Sequence, residues 1–229
     1  MTIPTFGSST TLAQPETITR HAAAVQLGIT HKSLSMLITA GILTEPLLRA
    51  DVDALAARDR LVGRSGELTV LRIGALTPAS DPGRQFIGFA ADIDDQQLAD
   101  ATLGMWRANP ERVIGNRLYA VAMRTIPVAL FAITGCPNID APLVDDSGKL
   151  RYRFDGELLA RIEPAAGRPG QPTSTAENTI DGHGVVPSSF WVRSTVDASS
   201  PYRAAVEAIM TSRIAVDSGG PVGYLSGPA

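Results

Sequence analysis

A pair of capped, short helices near the start of the chain constrains its fold more than any other feature. Thr19 can cap a first helix by accepting a hydrogen bond from an unpaired backbone N–H. Gly28 can end that helix, because glycine adopts a left-handed conformation without a steric cost, and Thr30 can cap a second helix. The apolar positions recur at helical spacing in both segments: Ala23, Ala24, Leu27, Leu34, Leu37 and Ile38. The sequence therefore predicts two short helices that pack against each other through these side chains.

The polar residues of the second predicted helix lie off this apolar stripe, and Lys32 and Ser33 fall in its first turn. Where the second of two such helices enters a DNA major groove, the side chains of its first turn contact base edges and phosphates. We therefore expect DNA contacts from Thr30, His31, Lys32, Ser33 and Ser35. The alternative for the same pattern is a helical hairpin whose outer face is simply solvated.

The residues after the hairpin predict a short link and a third helix. Pro46 interrupts the link, and residues 50–60 begin with acids and finish with arginines, which suit the two ends of a helix. In this order of elements, residues 15–62 resemble the winged helix-turn-helix module of MerR-type regulators and phage excisionases. The resemblance covers the strings RHAAAVQLGITHKSLSMLITAGIL and LLRADVDALAAR. It implies that the second helix contacts DNA and that residues 44–49 form a wing, in which Arg49 is the cation.

The net charge limits the kind of nucleic-acid binding that this chain can support. It has 20 Lys and Arg against 23 Asp and Glu, and its formal net charge is −3. Proteins that coat nucleic acid without regard to sequence are usually basic. Around the helical pair the cations only slightly outnumber the acids. We therefore expect binding from a local face, and a homodimer that reads paired half-sites of double-stranded DNA.

The rest of the chain predicts a second domain over residues 65–163. Segments 68–73, 118–123 and 128–134 are apolar and rich in strand-forming residues, and their short connections favour antiparallel pairing. The predicted fold class is therefore α+β. An N-terminal winged helix-turn-helix domain, residues 15–62, precedes a mixed, mostly antiparallel α+β or small-barrel domain.

Shorter segments complete this domain in the prediction. Residues 92–104 begin with acids and carry leucines at helical spacing, so they predict a helix. Residues 85–91 and 150–154 predict short strands, and the glycines of residues 63–67 predict a hinge between the two domains.

The two ends of the chain differ in composition from these domains. Residues 1–14 are rich in Ser and Thr and predict a flexible arm. Residues 164–229 predict a Pro/Gly-rich linker with a C-terminal helix over 202–216, which follows a proline. The glycines and prolines after residue 217 predict a frayed end.

A second resemblance concerns the middle domain. The strings MWRANPERVIGNRLYAVAMRTIPVALFAITG and KLRYRFDGELL are similar to small PUA-like β-barrels. That resemblance implies a groove that binds RNA or modified bases. Its candidate pocket residues are Trp106, Tyr119, Arg151 and Phe154. A plain α+β packing or dimerisation domain is the alternative.

The sequence offers no recognisable catalytic or metal-binding motif. His21, His31 and His183 have neither the spacing nor the acidic neighbours of metal ligands. The glycine-rich phosphate loop and the serine-nucleophile pattern do not occur, so neither a cofactor nor an enzymatic activity is predicted. The acids of residues 92–95 suit a helix cap better than a calcium loop.

Further features bear on location. No segment approaches the ~20 apolar residues that span a bilayer, which predicts no membrane partner. The single cysteine, Cys136, cannot form an internal disulfide, which is typical of a cytoplasmic protein. The sequence therefore predicts a cytoplasmic, sequence-specific DNA-binding protein, a transcriptional regulator or phage/plasmid control factor whose second domain dimerises or senses. The alternatives are a nucleic-acid-modifying enzyme or modified-base reader that uses the middle domain, and an antitoxin or phage assembly protein whose hairpin binds a protein.

Overall fold

The computed structural model describes residues 15–80, 84–165, 180–181, 184–185, 189–216 and 218–227. Its helices are α1 (Arg20–Leu27), α2 (His31–Thr39), α3 (Arg49–Ala56), α4 (Asp95–Leu103), α5 (Pro110–Asn116) and α6 (Arg203–Met210). Its strands are β1 (Glu67–Ile73), β2 (Thr77–Pro78), β3 (Phe86–Ile87), β4 (Leu118–Met123), β5 (Ile126–Gly135), β6 (Leu143–Val144), β7 (Leu150–Arg151), β8 (Asp155–Pro164), β9 (Ile180–Asp181), β10 (Gly184–Val185), β11 (Phe190–Ser194) and β12 (Val222–Ser226). The predicted arm, most of the predicted linker and His183 lie outside the described residues.

A six-stranded sheet, in the order β11-β8-β5-β4-β1-β12, forms the centre of the protein. β1 and β4 are parallel, and every other neighbouring pair is antiparallel. The residues of β4 from Tyr119 to Met123 are all buried. Because successive side chains of a strand point to opposite faces, both faces of the sheet's centre are covered. The predicted α+β class with a mostly antiparallel sheet is therefore confirmed.

The sheet is open rather than closed into a barrel. Among the described residues, β11 pairs only with β8 and β12 pairs only with β1, so each forms an outer edge. The crossover from β1 to β4 carries α4 and α5, which both contact the sheet, and α6 contacts β5 and β8. The small-barrel alternative for this domain is therefore not the arrangement that forms.

The two N-terminal helices form with the predicted caps. The Thr19 hydroxyl accepts a hydrogen bond from the Ala22 N–H at 3.2 Å, and the Thr30 hydroxyl accepts one from the Ser33 N–H at 3.2 Å. Gly28 ends α1 with a φ of 65°, a left-handed conformation that favours glycine. Local capping chemistry thus accounts for both helix starts and for the turn between them.

The link between α2 and α3 is compact. It contains a cis peptide bond between Glu45 and Pro46, and its end forms one antiparallel bridge, from Leu48 to Thr17. The structure describes this part of the chain without gaps, and this bridge is the whole of the β-structure there. The segment that the resemblance assigns to a wing is therefore a single bridge in front of α3, not a two-stranded hairpin.

The hairpin and the sheet share one continuous hydrophobic core. Backbone hydrogen bonds also join the N-terminal region to later parts of the chain: the Ala91 N–H donates to the Ala40 carbonyl at 2.8 Å, and the Leu61 N–H donates to the Arg213 carbonyl at 2.8 Å. The predicted hinge is itself packed, because a Cβ at Gly63 would lie 2.6 Å from the backbone nitrogen of Gly227. The N-terminal helices therefore belong to the same packed body as the sheet.

Two predicted strands are shorter in the structure. The segment predicted over 85–91 is reduced to β3, because Gly88 has a φ of 110° and lies against the backbone of Ala75. The segment predicted over 150–154 is reduced to β7, because the Phe154 N–H donates to the Leu103 carbonyl at 2.7 Å instead of joining a ladder. The chain then continues into β8, a strand that the sequence pattern did not predict.

The C-terminal region departs most from its prediction. Within the range predicted as a helix, α6 ends at Met210, and residues 213 and 214 instead donate backbone hydrogen bonds to Asp59 and Thr125. The predicted frayed end is wrong, because β12 pairs with β1 over five residue pairs.

None of the helices in the described ranges is long and apolar enough to cross a bilayer.

Candidate nucleic-acid interface and the adjoining groove

The outward face of α2 is polar and open to solvent. Thr30, His31, Lys32 and Thr39 are exposed, and Ser35 is half-buried. The opposite side of the helix packs inward through Leu34 and Leu37, with 1% and 0% of their surfaces exposed. The structure thus brings four of the predicted contact residues together on or beside one helix turn: Thr30, His31, Lys32 and Ser35. We call the surface formed by His31, Lys32, Ser35 and Thr39 the outward face.

Ser33 does not share the exposure expected of a DNA contact. Only 3% of its surface is exposed, and its hydroxyl lies 2.9 Å from the Thr30 hydroxyl. Its position in the helix turns it toward the body of the protein, one step away from Lys32. In this fold Ser33 contacts the Thr30 hydroxyl at the start of α2, and it lies off the outward face.

Arg49, the cation of the predicted wing, is already paired. Its Nε donates to Glu16 Oε1 at 2.6 Å, and Arg20 makes a similar pair with Glu45. Their mutual hydrogen bond raises the pKa of Arg20 and lowers the pKa of Glu45. Both pairs are at the surface, so they stabilise the fold little and partly neutralise the two arginines.

Two imidazoles meet where α2 begins. The rings of His21 and His31 stack with centroids 5.5 Å apart, and His21 Nδ1 lies 3.3 Å from His31 Nε2. Such a hydrogen bond needs a protonated nitrogen on one ring and an unprotonated nitrogen on the other. The contact ties the first residue of α2 to α1, and within the described residues no group of three or more potential ligands is placed to hold a metal.

A groove of about 560 Å³ runs between α2 and the sheet. It is lined by Gly28, Ile29, Thr30, Ser33, Met36, Arg72, Ile73, Gly74, Arg124, Thr125, Gly220 and Pro221. This lining contains two arginines and no acid, so the groove carries a local positive charge. The side of α2 that faces it adjoins the outward face, and we call this space the arginine groove.

The two arginines of the arginine groove reach it from different strands. Arg124 lies in the turn between β4 and β5 with a φ of 61°, and its Nη2 lies 3.6 Å from Met36 Sδ. Arg72, on β1, donates from Nη2 to the Ser218 carbonyl at 2.6 Å and also to the Gly220 carbonyl. Neither guanidinium pairs with a carboxylate in the part of the chain that the structure describes. Sequence reasoning missed both, because the residues around each one predict only a strand or a turn.

The aromatic residues predicted to line a base pocket are core residues instead. Trp106, Tyr119 and Phe154 have 4%, 0% and 1% of their surfaces exposed. The Tyr119 and Phe154 rings lie 6.1 Å apart, and the Trp106 indole donates to the Thr102 carbonyl at 2.6 Å. Burial also raises the pKa of the Tyr119 phenol strongly. These rings are packed in the core, so they leave no surface on which a base could stack.

Arg151, the fourth predicted pocket residue, holds a surface turn. It donates from Nε to Asp145 at 2.9 Å and from Nη1 to the Met105 carbonyl at 2.9 Å. Asp145 also accepts a hydrogen bond from the Ser147 hydroxyl. This bond, together with those from the Lys149 N–H, Arg107 and Arg151, holds the pKa of Asp145 well below its usual range. Arg151 therefore joins the turn between β6 and β7 to the body, and its charge is already compensated.

The acidic run at residues 92–95 forms a helix cap, as predicted. The Asp94 carboxylate accepts from the Gln97 N–H at 2.7 Å, and the Gln97 side chain accepts from the Asp94 N–H at 3.3 Å. This reciprocal pair is a capping box at the start of α4. Asp95 forms ion pairs with Arg161 and Arg193, and these two guanidinium groups compensate its charge.

Comparisons of the chain with protein-family models, with curated proteins and with solved structures found no match. Its function is therefore inferred from its own residues and geometry.

Proposed function

We propose that this protein binds double-stranded DNA sequence-specifically, as a transcriptional regulator or a phage or plasmid control factor. In this proposal α2 enters the major groove with its outward face. The observation that carries the proposal is the combination of an exposed polar side with a firmly buried opposite side on a short, capped helix. A helix presented in this way can offer side chains to base edges without exposing apolar surface.

The charge distribution around the hairpin supports the proposal. No Asp or Glu occurs from residue 17 to residue 44, although the whole chain has 23 of them. Carboxylates there would be repelled by DNA phosphates, and Lys32 stands on the outward face without one nearby in sequence. The hairpin sequence itself therefore contributes no carboxylate to the surface that would meet DNA.

The way in which α2 is held also favours recognition. A Cβ at Gly74 would lie 3.0 Å from Met36 Cε, so the absence of a side chain at Gly74 lets α2 pack closely on the end of β1. Ala40, directly after α2, accepts the backbone hydrogen bond from Ala91. A recognition helix that is fixed before binding loses less conformational entropy when it binds, and it keeps its side chains in register with the bases.

In this proposal the protein is a homodimer, because the outward face itself carries few cations. Lys32 is the one cation of the outward face, and Arg20 and Arg49 are engaged with Glu45 and Glu16. Few phosphate contacts give weak binding, and two copies on paired half-sites multiply it. In this proposal the sheet dimerises or senses a signal, and the protein acts in the cytoplasm, where the DNA of such systems lies.

The test is selection of binding sites from random duplexes, followed by affinity measurements on the selected site. The chain has two lysines, which provides a matched pair of variants: Lys32→Ala on the outward face and Lys149→Ala in the turn between β6 and β7. We expect the first to weaken binding about tenfold and the second to leave it unchanged. Equal affinities for all three proteins, or no selected sequence, would remove the basis of the proposal.

A further inference from the structure

We propose that the arginine groove is a phosphate-binding site, in which Arg72 and Arg124 bind the oxygens of one phosphate-bearing ligand. This proposal does not depend on DNA recognition by the outward face. It starts from a cleft of about 560 Å³ whose lining combines two guanidinium groups, three hydroxyl side chains and no carboxylate. A cleft of this size matches those that take small organic ligands.

The charges of the groove are uncompensated within the described residues. Many other arginines among the described residues form ion pairs with carboxylates: Arg107, Arg112, Arg151, Arg153, Arg161 and Arg193. Arg72 instead binds backbone carbonyls and the Ser218 hydroxyl, and Arg124 contacts a sulfur atom. Two positive groups without counter-charges, at one concave surface, raise the local concentration of anions.

The bonds of Arg72 leave part of its guanidinium free for a ligand. Nη2 is held by Ser218 and Gly220, and Nε is buried without a hydrogen-bond partner. Nη1 makes no hydrogen bond to any described residue, and the side chain lines the groove. The three acceptors on Nη2 fix the orientation of the side chain, so binding a ligand at Nη1 costs little additional ordering.

The chemistry favours phosphate over a single carboxylate. A guanidinium group forms paired hydrogen bonds with either anion, but a phosphate offers three oxygens and can engage two arginines at once. The Thr125 hydroxyl, which also lines the groove, can donate to the remaining oxygen. Ile29, Ile73 and Pro221 add apolar walls, which suit the organic part of a phosphorylated molecule.

Inorganic pyrophosphate is the probe, and binding is followed by calorimetry on the full chain. Arg124→Gln is the test variant, and Arg117→Gln is its matched control. Arg117 and Arg124 flank β4 at opposite ends, both are exposed, both have a φ of 61°, and neither has a carboxylate partner among the described residues. Arg124→Lys keeps the charge but loses the forked geometry. Thermal unfolding confirms that each variant is folded.

We expect the unmodified protein and Arg117→Gln to bind pyrophosphate alike, Arg124→Gln to bind at least about tenfold more weakly, and Arg124→Lys to lie between them. Malonate, a dianion without phosphorus, is expected to bind more weakly than pyrophosphate. The site is overturned if pyrophosphate does not bind, if both glutamine variants weaken it equally, or if malonate binds equally well.

A second arm identifies the source of the phosphate. If it is a phosphate of the DNA backbone, pyrophosphate competes with DNA, and Arg124→Gln weakens binding to all duplexes. The slope of the logarithm of the DNA affinity against the logarithm of the salt concentration then becomes shallower by about one. If it is a free phosphorylated molecule, Arg124→Gln weakens pyrophosphate binding by the same factor but leaves the affinity for DNA unchanged in the absence of that ligand. A protein that binds pyrophosphate but no DNA would retain this site and lose the proposed function.

Discussion

The N-terminal hairpin and the C-terminal region belong to the same packed body, but different kinds of interaction determine their structures. The hairpin is specified locally, because Thr19, Gly28 and Thr30 set its helix starts and its turn within a short stretch. The C-terminal region supplies both outer strands of the sheet, β11 and β12, from a stretch whose composition predicts a linker and a frayed end. The difference teaches that capping can be read from neighbours in sequence, whereas an edge strand depends on the strand beside which it lies.

β12 illustrates the point. Its residues pair with those of β1, from Glu67 opposite Ser226 to Leu71 opposite Val222. Gly223 is buried in this strand, where a Cβ would lie 2.9 Å from Val216 Cγ2. The glycines that predict fraying thus permit close packing here, and nothing within the segment itself indicates this.

Removal of β12 should have the largest effect. Truncation after Val216 takes away five residue pairs with β1 and the acceptors of Arg72. With roughly one hydrogen bond for each residue pair and about 1 kcal/mol for each bond, we expect the free energy of unfolding to fall by about 5 kcal/mol. Urea unfolding measures this loss. A truncated chain with unchanged stability would mean that the end is loose after all and that the two regions do not differ as described.

A core change in the hairpin should come next. Leu37 of α2 is fully buried, so Leu37→Ala is expected to cost about 3 kcal/mol, because it loses apolar burial and leaves a cavity. The control is Val25→Ala on α1, where 68% of the residue's surface is exposed and an effect within about 0.5 kcal/mol is expected. The same urea experiment applies. Similar small losses for both variants would show that the hairpin is not anchored in the common core.

Acid should weaken the junction between β1, α5 and β12 through one carboxylate. Hydrogen bonds from Arg112, and then from Ser226 and Asn116, lower the pKa of Glu67 from its ordinary value of 4.5 to about 2. Because the pKa is lower in the folded state, this contribution is complete above pH 4.5 and is lost as the pH falls toward 2. With allowance for solvent screening at the half-exposed Arg112, it amounts to about 1.5 kcal/mol.

Glu67→Gln tests that contribution. We expect its unfolding free energy to lie below that of the unmodified protein at pH 7 and to converge with it as the pH approaches 2. Urea unfolding at a series of pH values provides the comparison. A difference between the two proteins that stays constant over this range would assign the effect to lost packing rather than to the charge.

The caps of the hairpin should give the smallest of these effects. Thr30→Ala removes the acceptor for the Ser33 N–H and should cost about 1 kcal/mol, and Thr30→Ser should restore it. Thr39→Ala, at the exposed last residue of α2, is the control. Thermal unfolding resolves the difference. If Thr30→Ala matches the control, packing rather than capping determines where α2 begins.

Prediction from the sequence succeeded for features that are determined by residues close to them in sequence. The caps at Thr19 and Thr30, the α4 cap at Asp94 and the strand β1 all follow from neighbouring residues. The expected exposure of Ser33 was wrong, because helical spacing gave the apolar stripe but not the burial of the position beside it.

The arginine groove could not be predicted for a related reason. Arg72 and Arg124 belong to strand and turn segments that predict no binding role, and only the pairing of β1 with β4 brings their ends together. The aromatic residues Trp106, Tyr119 and Phe154 show the converse error. They were expected to line a pocket, but composition does not reveal whether aromatic rings line a pocket or fill a core, and here they are buried.

The central claim is that the outward face of α2 meets DNA, and thiol protection tests it directly. Ser35→Cys places a thiol on that face, and Ala141→Cys places one at an exposed position outside the hairpin. The native Cys136 is 8% exposed, and burial raises the pKa of its thiol, so its reaction with maleimide is slow. With the selected duplex bound, the account predicts that maleimide labelling of S35C slows about tenfold while labelling of A141C is unchanged. Equal labelling of S35C with and without a bound duplex would contradict it.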